Sequence, residues 1–256
     1  MRLLDRLDRE LGEGAGLVVI FDYDGTLTPL VSSPGAAFLA PSVRANLARL
    51  AESSRARLAI LSGRGLADLR ARVALDGVLY GGCHGLEIAG RRLRFRHPLA
   101  RRAGVAATER ALAAALPAVP GALLECKGLV VSLHYRHVTP ARRPAVRAIA
   151  ENVLSRRPDL TMIAGHLVFD FIPRIGWHKG TAACWMVSQL VPTLAARRAV
   201  IVYAGDDASD EMAFAALREQ AVTIHVGAKP TVAEYRVGSV RDVQKLLRRM
   251  TAALAS

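Results

Sequence analysis

Two aspartates, Asp22 and Asp24, follow the apolar run LVVIF in the string FDYDGTLTP. Two residues apart on an extended chain, their side chains project to the same side. The carboxyl end of a strand is also where open parallel sheets bind their ligands. Gly25 lets the chain turn away sharply, and Pro29 discourages an immediate helix. Such a pair suits phosphoryl transfer: one carboxylate attacks phosphorus and forms an acyl phosphate, and the other gives a proton to the leaving oxygen and later takes one from water. Taken alone, DxDG is equally well explained as an Asp-Gly turn.

A second acidic group lies near the other end of the chain. The run AVIVYAG leads into Asp206 and Asp207, and Asp210 and Glu211 open the segment after it. A preference for acids at a helix N-terminus explains the last two, not the DD before them. Carboxylates crowded at a strand end can hold a hard divalent cation, and Mg²⁺ takes one or two of them together with water and substrate phosphate. Lys179, in WHKGT at a helix start, can neutralise phosphate and the attacking carboxylate. Ser62, in LSGRG, offers a hydroxyl beside backbone N–H groups; by themselves these two residues read as a solvated lysine and a helix cap. Glu125 and Lys127 lie two apart at the end of a strand-like run and point the same way, presenting acceptor and donors together as a polyhydroxylated sugar requires. A salt bridge on a strand edge is the alternative for that pair.

The elements that position these residues follow from hydrophobic patterning. LVVIFD, RLAILS, GVLYGG, AVIVYAGD and AVTIHV are apolar throughout, as strands covered on both faces are, and amphipathic stretches at 43–51, 66–73, 179–190, 209–217 and 242–253 lie among them. The pattern predicts a doubly wound α/β fold with a mainly parallel sheet. Ala89 to Arg91 is expected to turn a hairpin. Between residues 100 and 176 the character changes to helix, two strands, helix, two strands, an α+β αββαββ unit. The expected domains are therefore a core from 1–99 and 177–256 and an inserted unit from 100–176.

In order, strand-DxDG, strand-Ser, helix-Lys and strand-GDD resemble the haloacid dehalogenase (HAD) superfamily of phosphohydrolases, whose four short motifs match DYDGT, Ser62, Lys179 and GDD. The resemblance spans nearly the whole chain, and the inserted unit is similar to the cap domain of a subclass that includes sugar phosphatases. FDYDGTLTPL, LSGR, GCHGLEI, ECKGLVVSLHYR and GDDASDEMAF are each similar to blocks of trehalose-6-phosphate phosphatases. The resemblance implies a Mg²⁺-dependent phosphomonoesterase that converts trehalose 6-phosphate to trehalose and phosphate through an aspartyl phosphate. It implies Asp22 as nucleophile and metal ligand, Asp24 as acid/base with its carbonyl on the metal, and Asp206 as the metal's other protein ligand. Asp207 and Asp210 would support the metal shell and orient Lys179, while Ser62 and Lys179 hold phosphate. On the sugar side it points to Arg64 and His84 from the core and to Glu125, Lys127 and Arg136 from the cap. Asp170, in DFIP, stands where the family usually has a longer acid, and Ile172 where it has an arginine. That departure keeps other substrates open: a different phosphorylated disaccharide, a pseudo-disaccharide or mannosyl-phosphoglycerate. A non-catalytic sugar-phosphate-binding regulator is a further alternative, against which the four crowded acids argue.

Composition bounds the rest. Against 22 acidic side chains stand 35 basic ones, a formal charge of +13, in a chain that is 52% hydrophobic and 5% aromatic; this excludes a disordered protein. Only four of the 35 cations are lysine, and the arginines are dispersed with few aromatics between them, so no nucleic-acid partner is expected, whereas an anionic small substrate suits the charge. The first residues interleave charge with leucine rather than forming a leader, and no apolar run approaches the ~20 residues of a membrane span, so no membrane association is expected. The cysteines, Cys83, Cys126 and Cys184, are odd in number and unpaired in spacing; they read as reduced, mostly packed thiols and suggest a cytoplasmic setting. Sequence does not fix the oligomeric state, with a monomer slightly favoured. No GxxxxGK[ST] loop or GxSxG elbow is present. His134 and His137 should face opposite ways, which argues against a shared metal, and His97, His166, His178 and His225 read as surface or packed histidines.

Overall fold

The computed structural model describes residues 3–31 and 34–255. In chain order the elements are α1 (Leu3–Gly12), β1 (Gly16–Phe21), α2 (Pro41–Glu52), β2 (Ala56–Leu61), α3 (Leu66–Val73), β3 (Val78–Gly82), β4 (Glu87–Ala89) and β5 (Arg94–Arg96). They continue with α4 (Arg102–Ala115), β6 (Leu123–Cys126), β7 (Val131–His134), α5 (Arg143–Ser155), β8 (Leu160–Gly165) and β9 (Val168–Pro173). The chain ends with α6 (Lys179–Leu190), β10 (Ala199–Gly205), α7 (Ala208–Leu217), β11 (Val222–Val226), β12 (Tyr235–Val237) and α8 (Val240–Ala255).

Eight strands form one sheet in the order β12-β11-β10-β1-β2-β3-β4-β5, parallel from β12 through β3 and antiparallel at β4 and β5. β1 is buried at every residue because it lies at the centre with helices on both faces. Leu17, Val19 and Phe21 face α1, α2, α3 and α8, while Ile20 faces α6 and α7. The stripe that seats α8 is Val243, Leu246, Leu247 and Met250, with one-face helical spacing. Pro41 opens α2, where its missing N–H is not needed. This layering places the carboxyl ends of β1, β2 and β10 on one rim, and Asp22, Ser62 and Asp206 follow those strands directly.

A second sheet, antiparallel in the order β6-β7-β9-β8, belongs to the inserted segment. Its two faces separate by residue type. Val131, Leu133, Phe169 and Phe171 pack with α4 and α5 residues such as Val105, Leu112, Val146 and Ala150. The alternate positions Glu125, Ser132, His134 and Asp170 share the opposite face. An apolar seam of Cys83, Leu86, Ala100, Leu129, Val130 and Ile172 joins the two parts of the chain. Ile172, set where the family pattern has an arginine, is thereby a packing residue. The hairpin expected at Ala89 to Arg91 joins β4 to β5. No described helix is long and apolar enough to cross a membrane. Cys83 is buried, Cys184 partly so and Cys126 exposed, so the expectation of mostly packed thiols holds for Cys83 alone.

Candidate active site

Asp22 is fixed at the end of β1, its N–H donating to the Ala204 carbonyl at 2.9 Å. Lys179, the first residue of α6, reaches beneath it, donating from Nζ to Asp22 Oδ1 at 2.6 Å and to Asp210 Oδ1 at 2.8 Å. Asp210 also accepts the Tyr203 hydroxyl at 2.7 Å and the N–H groups of Asp206 and Asp207 at 3.2 and 3.1 Å. It is buried and saturated with donors, a floor that holds Lys179 and the GDD turn together.

Asp22, Asp206 and Asp210 each bring a carboxylate oxygen within 4.8 Å of the others. Asp206 Oδ1 is buried without a hydrogen-bond partner among the described residues. Burial, with Asp210 and Asp207 beside it, pushes the Asp206 carboxyl up to about 8. Burial also raises Asp22 well above the usual carboxylate range, although Lys179 pulls the other way. For Lys179 the two acids outweigh burial and hold the ammonium charged. Ionised together, three carboxylates against one ammonium would carry two negative charges, which a hard divalent cation would balance, and the all-oxygen donor set suits one. Gly25 is required for that geometry: its φ is +85°, and a Cβ there would stand 2.2 Å from Asp206 Oδ2.

Both oxygens of Asp24 accept from Arg64, from Nε at 2.6 Å and from the second guanidinium nitrogen at 2.7 Å. Arg64 also donates to Asp68 at 2.8 Å, and its guanidinium lies 5.3 Å over the Tyr23 ring. Arg64, expected on the sugar side, thus lines the cleft with its fork engaged on Asp24 and Asp68. The separation of 40 residues between Arg64 and Asp24 hides this pair from sequence patterns. Ser62 Oγ accepts the Arg64 N–H at 3.2 Å, placing the hydroxyl at the turn after β2.

Across the cleft, Glu125 Oε2 is 2.9 Å from His134 Nε2 and 3.7 Å from Lys127 Nζ. Those two partners keep the Glu125 carboxyl below its ordinary range against the opposing effect of burial. Asp170 accepts from Ser132 Oγ and from His84 Nε2, the latter at 2.9 Å, and Lys127 Nζ is 3.7 Å away. Burial would raise the Asp170 carboxyl, but Lys127, His84 and Ser132 together depress it well below the usual range. Asp170, expected to contact substrate, is 8% exposed and engaged by protein. His84 sits in a run of left-handed residues, Cys83, His84 and Gly85, with φ of 50°, 57° and 88°. Such conformations cost about 1–3 kcal/mol for each non-glycine residue and persist where surroundings enforce them. Arg136 lines the cleft and donates to the His166 carbonyl at 3.4 Å.

Every expected site residue except the buried Asp210 lines a single open cleft of about 1090 Å³ between the two sheets. Asp207 lines it, its carboxylate accepting from Lys229 Nζ at 3.4 Å, while the bonds of Lys179 go to Asp22 and Asp210. His134, His137 and His166 also reach the cleft, which the sequence reading did not anticipate. β7 ends at His134, so strand alternation no longer governs His137. His134 and Glu125 share one sheet face diagonally across the β6–β7 ladder, and only the register reveals it. His178 caps α6 through Nδ1, and His225 is buried.

A family profile described as trehalose-phosphatase matches residues 20–245. Trehalose-phosphate phosphatase of Mycobacterium tuberculosis (strain ATCC 25618 / H37Rv) is 34% identical over 257 aligned residues, which cover 95% of this chain and 65% of the relative. Trehalose-phosphate phosphatase B of Arabidopsis thaliana is 30% identical, with 93% of this chain and 67% of the relative covered. The chain therefore spans about 65% of the length of the mycobacterial relative. The C-terminal domain of trehalose-6-phosphate phosphatase from C. albicans superposes with a TM-score of 0.87 at 21% identity, covering 98% of this chain and 97% of that one, which shows a shared fold.

Proposed function

Because the chain belongs to the trehalose-phosphatase family, we propose that it is a phosphomonoesterase that hydrolyses trehalose 6-phosphate to trehalose and phosphate. The observation that carries the reading is the juxtaposition of Asp22, Lys179, Asp206 and Asp210 at the foot of a cleft whose far wall presents Glu125, Lys127 and His134. The segment 100–176 acts as a cap over the core in this reading.

Asp22 Oδ1 is held by Lys179, which leaves Oδ2 to attack phosphorus as the bond to the sugar oxygen breaks. The departing oxygen takes a proton from Asp24, which must first release at least one of its two bonds to Arg64 and take up that proton from solvent. Water then attacks the acyl phosphate, Asp24 takes its proton, and Asp22 is regenerated as phosphate leaves. Lys179 and Ser62 hold the phosphoryl oxygens through both steps. Asp22 and Asp206, with the Asp24 carbonyl, would hold Mg²⁺, which when bound neutralises charge on the transferring phosphoryl group. Glu125 and Lys127 offer acceptor and donors to the sugar hydroxyls. Three cysteines, odd in number and without close spacing in the sequence, suit a reducing, cytoplasmic setting.

The test is phosphate release from trehalose 6-phosphate compared by specificity constant with other phosphorylated disaccharides and mannosyl-phosphoglycerate. Trehalose 6-phosphate should lead the panel, with activity lost in chelator and restored by Mg²⁺. Full activity in chelator would remove the metal from the account, and preference for another sugar would replace the substrate.

A further inference from the structure

Arg64 binds two carboxylates that belong to different parts of the core. Its Nε and one terminal nitrogen donate to the two oxygens of Asp24 at 2.6 and 2.7 Å, and its other terminal nitrogen donates to Asp68 Oδ2 at 2.8 Å. Asp68 lies in the first turn of α3, four residues after Arg64 and four before Arg72. It does not line the cleft, and nothing in the phosphoryl-transfer chemistry uses it.

Asp68 is held from its far side. Arg72 Nε donates to both Asp68 oxygens at 2.9 and 2.8 Å, and Arg72 is itself fixed by donating to the Ala37 carbonyl at 2.9 Å. Burial opposes charge on Asp68, but Arg72 and Arg64 outweigh it and keep the carboxyl below its usual range. A carboxylate offers about four lone-pair sites, and the contacts with Arg72 and Arg64 take three of them. The Asp68 side chain is 38% exposed, which leaves space for one more donor. The Arg64 guanidinium lies 5.3 Å over the ring of buried Tyr23, whose hydroxyl donates to the Ala37 carbonyl at 3.0 Å. Attraction to a ring face extends to about 6 Å from its centre, so it survives a small shift of the cation along the ring.

Asp24 and Asp68 therefore compete for one guanidinium. Asp24 holds the fork, so neither of its oxygens is open to the sugar oxygen that leaves phosphorus. For Asp24 to act, Arg64 must give up at least one of those bonds, and at 8% side-chain exposure a guanidinium short of an acceptor is unfavourable.

We propose that Asp68 is a positioning residue: it accepts the hydrogen bond that Arg64 gives up when Asp24 turns to the substrate, and so sets how readily Asp24 enters the reaction. This deepens the phosphomonoesterase reading and rests on it. Asp68 acts through Arg64 and not on the substrate. The exchange follows substrate binding, so loss of Asp68 lowers kcat more than it raises KM.

The experiment compares steady-state kinetics on trehalose 6-phosphate at saturating Mg²⁺ for wild type, Asp68→Asn, Arg64→Met and the double variant, each as the full chain. Beside it stands a crystal structure of wild type with Mg²⁺ and trehalose 6-sulfate, a sulfate ester in place of the phosphate. Asp68→Asn should lower kcat about tenfold and change KM less than twofold. In the Arg64→Met background the same substitution should change kcat less than twofold, because no guanidinium remains to be moved. A purely structural role, exerted through Arg72 and the turn at 34–37, would lower activity equally in both backgrounds and overturn the proposal. So would an unchanged kcat in a folded Asp68→Asn protein. In the crystal, Arg64 should have left at least one Asp24 oxygen and should make two bonds to Asp68. An arginine still forked on Asp24 in that complex, or withdrawn from Asp68, would overturn the proposal whether or not the variants fold. Absence of wild-type turnover on every phosphorylated sugar would instead overturn the functional reading.

Discussion

Gly25→Ala isolates the geometric demand of the acidic cluster. At φ +85° an alanine is strained, by about 1–2 kcal/mol. Its Cβ would also lie 2.2 Å from Asp206 Oδ2, short by 0.8 Å of the 3.0 Å below which Cβ contacts essentially never occur, so the carboxylate must move. A displacement near 1 Å in a catalytic constellation costs about 10²-fold in rate. Gly14→Ala provides the control, because Gly14 has a φ of +88° and nothing within 4 Å of its virtual Cβ. Both variants should melt about 2–8 °C below wild type. Only Gly25→Ala should lose about 100-fold in kcat/KM at fixed Mg²⁺ and need more Mg²⁺ for half-maximal rate. Thermal melts followed by circular dichroism and phosphate release over a Mg²⁺ titration measure both effects. Equal activity of the two variants would refute the argument that Asp206 must sit where the Gly25 turn allows it.

Glu125→Ala should raise KM about tenfold with kcat changed less than twofold, since the proposed role of the residue is to meet the sugar rather than phosphorus. His134→Ala should do the same more weakly, and the double variant should fall short of the product of the single effects because the two are in contact at 2.9 Å; product-like effects in steady-state kinetics would separate them. Asp170 has a depressed carboxyl, so its contribution to stability is present above the unfolded value near 3.8 and is lost as pH falls toward the folded one. Asp170→Asn should therefore be destabilised by about 3 kcal/mol at neutral pH, with the gap in denaturant midpoint narrowing below pH ~4; a gap independent of pH would contradict the buried pairing.

The core was legible in the sequence because its strands are apolar at every position and its four motifs fall at strand ends or a helix start. Asp22, Ser62 and Asp206 followed from the rule that parallel strands present their carboxyl ends on one rim, and Lys179 from its place at a helix start. The cap strands were equally readable, and their alternation placed Glu125 and Lys127 together. Pairings between distant segments were not readable. The Asp24–Arg64 fork depends on how the turns after β1 and β2 approach each other, and the Glu125–His134 contact depends on the β6–β7 register. Asp170 is paired within the protein because the register sets it opposite Ser132 and cap docking sets it against His84.

The central claim is that the Asp22 carboxylate displaces the sugar oxygen from phosphorus. Acid quench of a single turnover with labelled trehalose 6-phosphate and Mg²⁺, followed by peptide mapping, tests it most directly. Label should appear transiently on the peptide containing Asp22 and be absent in Asp22→Asn, which should not turn over. Phosphate released at full rate by Asp22→Asn, or label trapped on another residue, would contradict it.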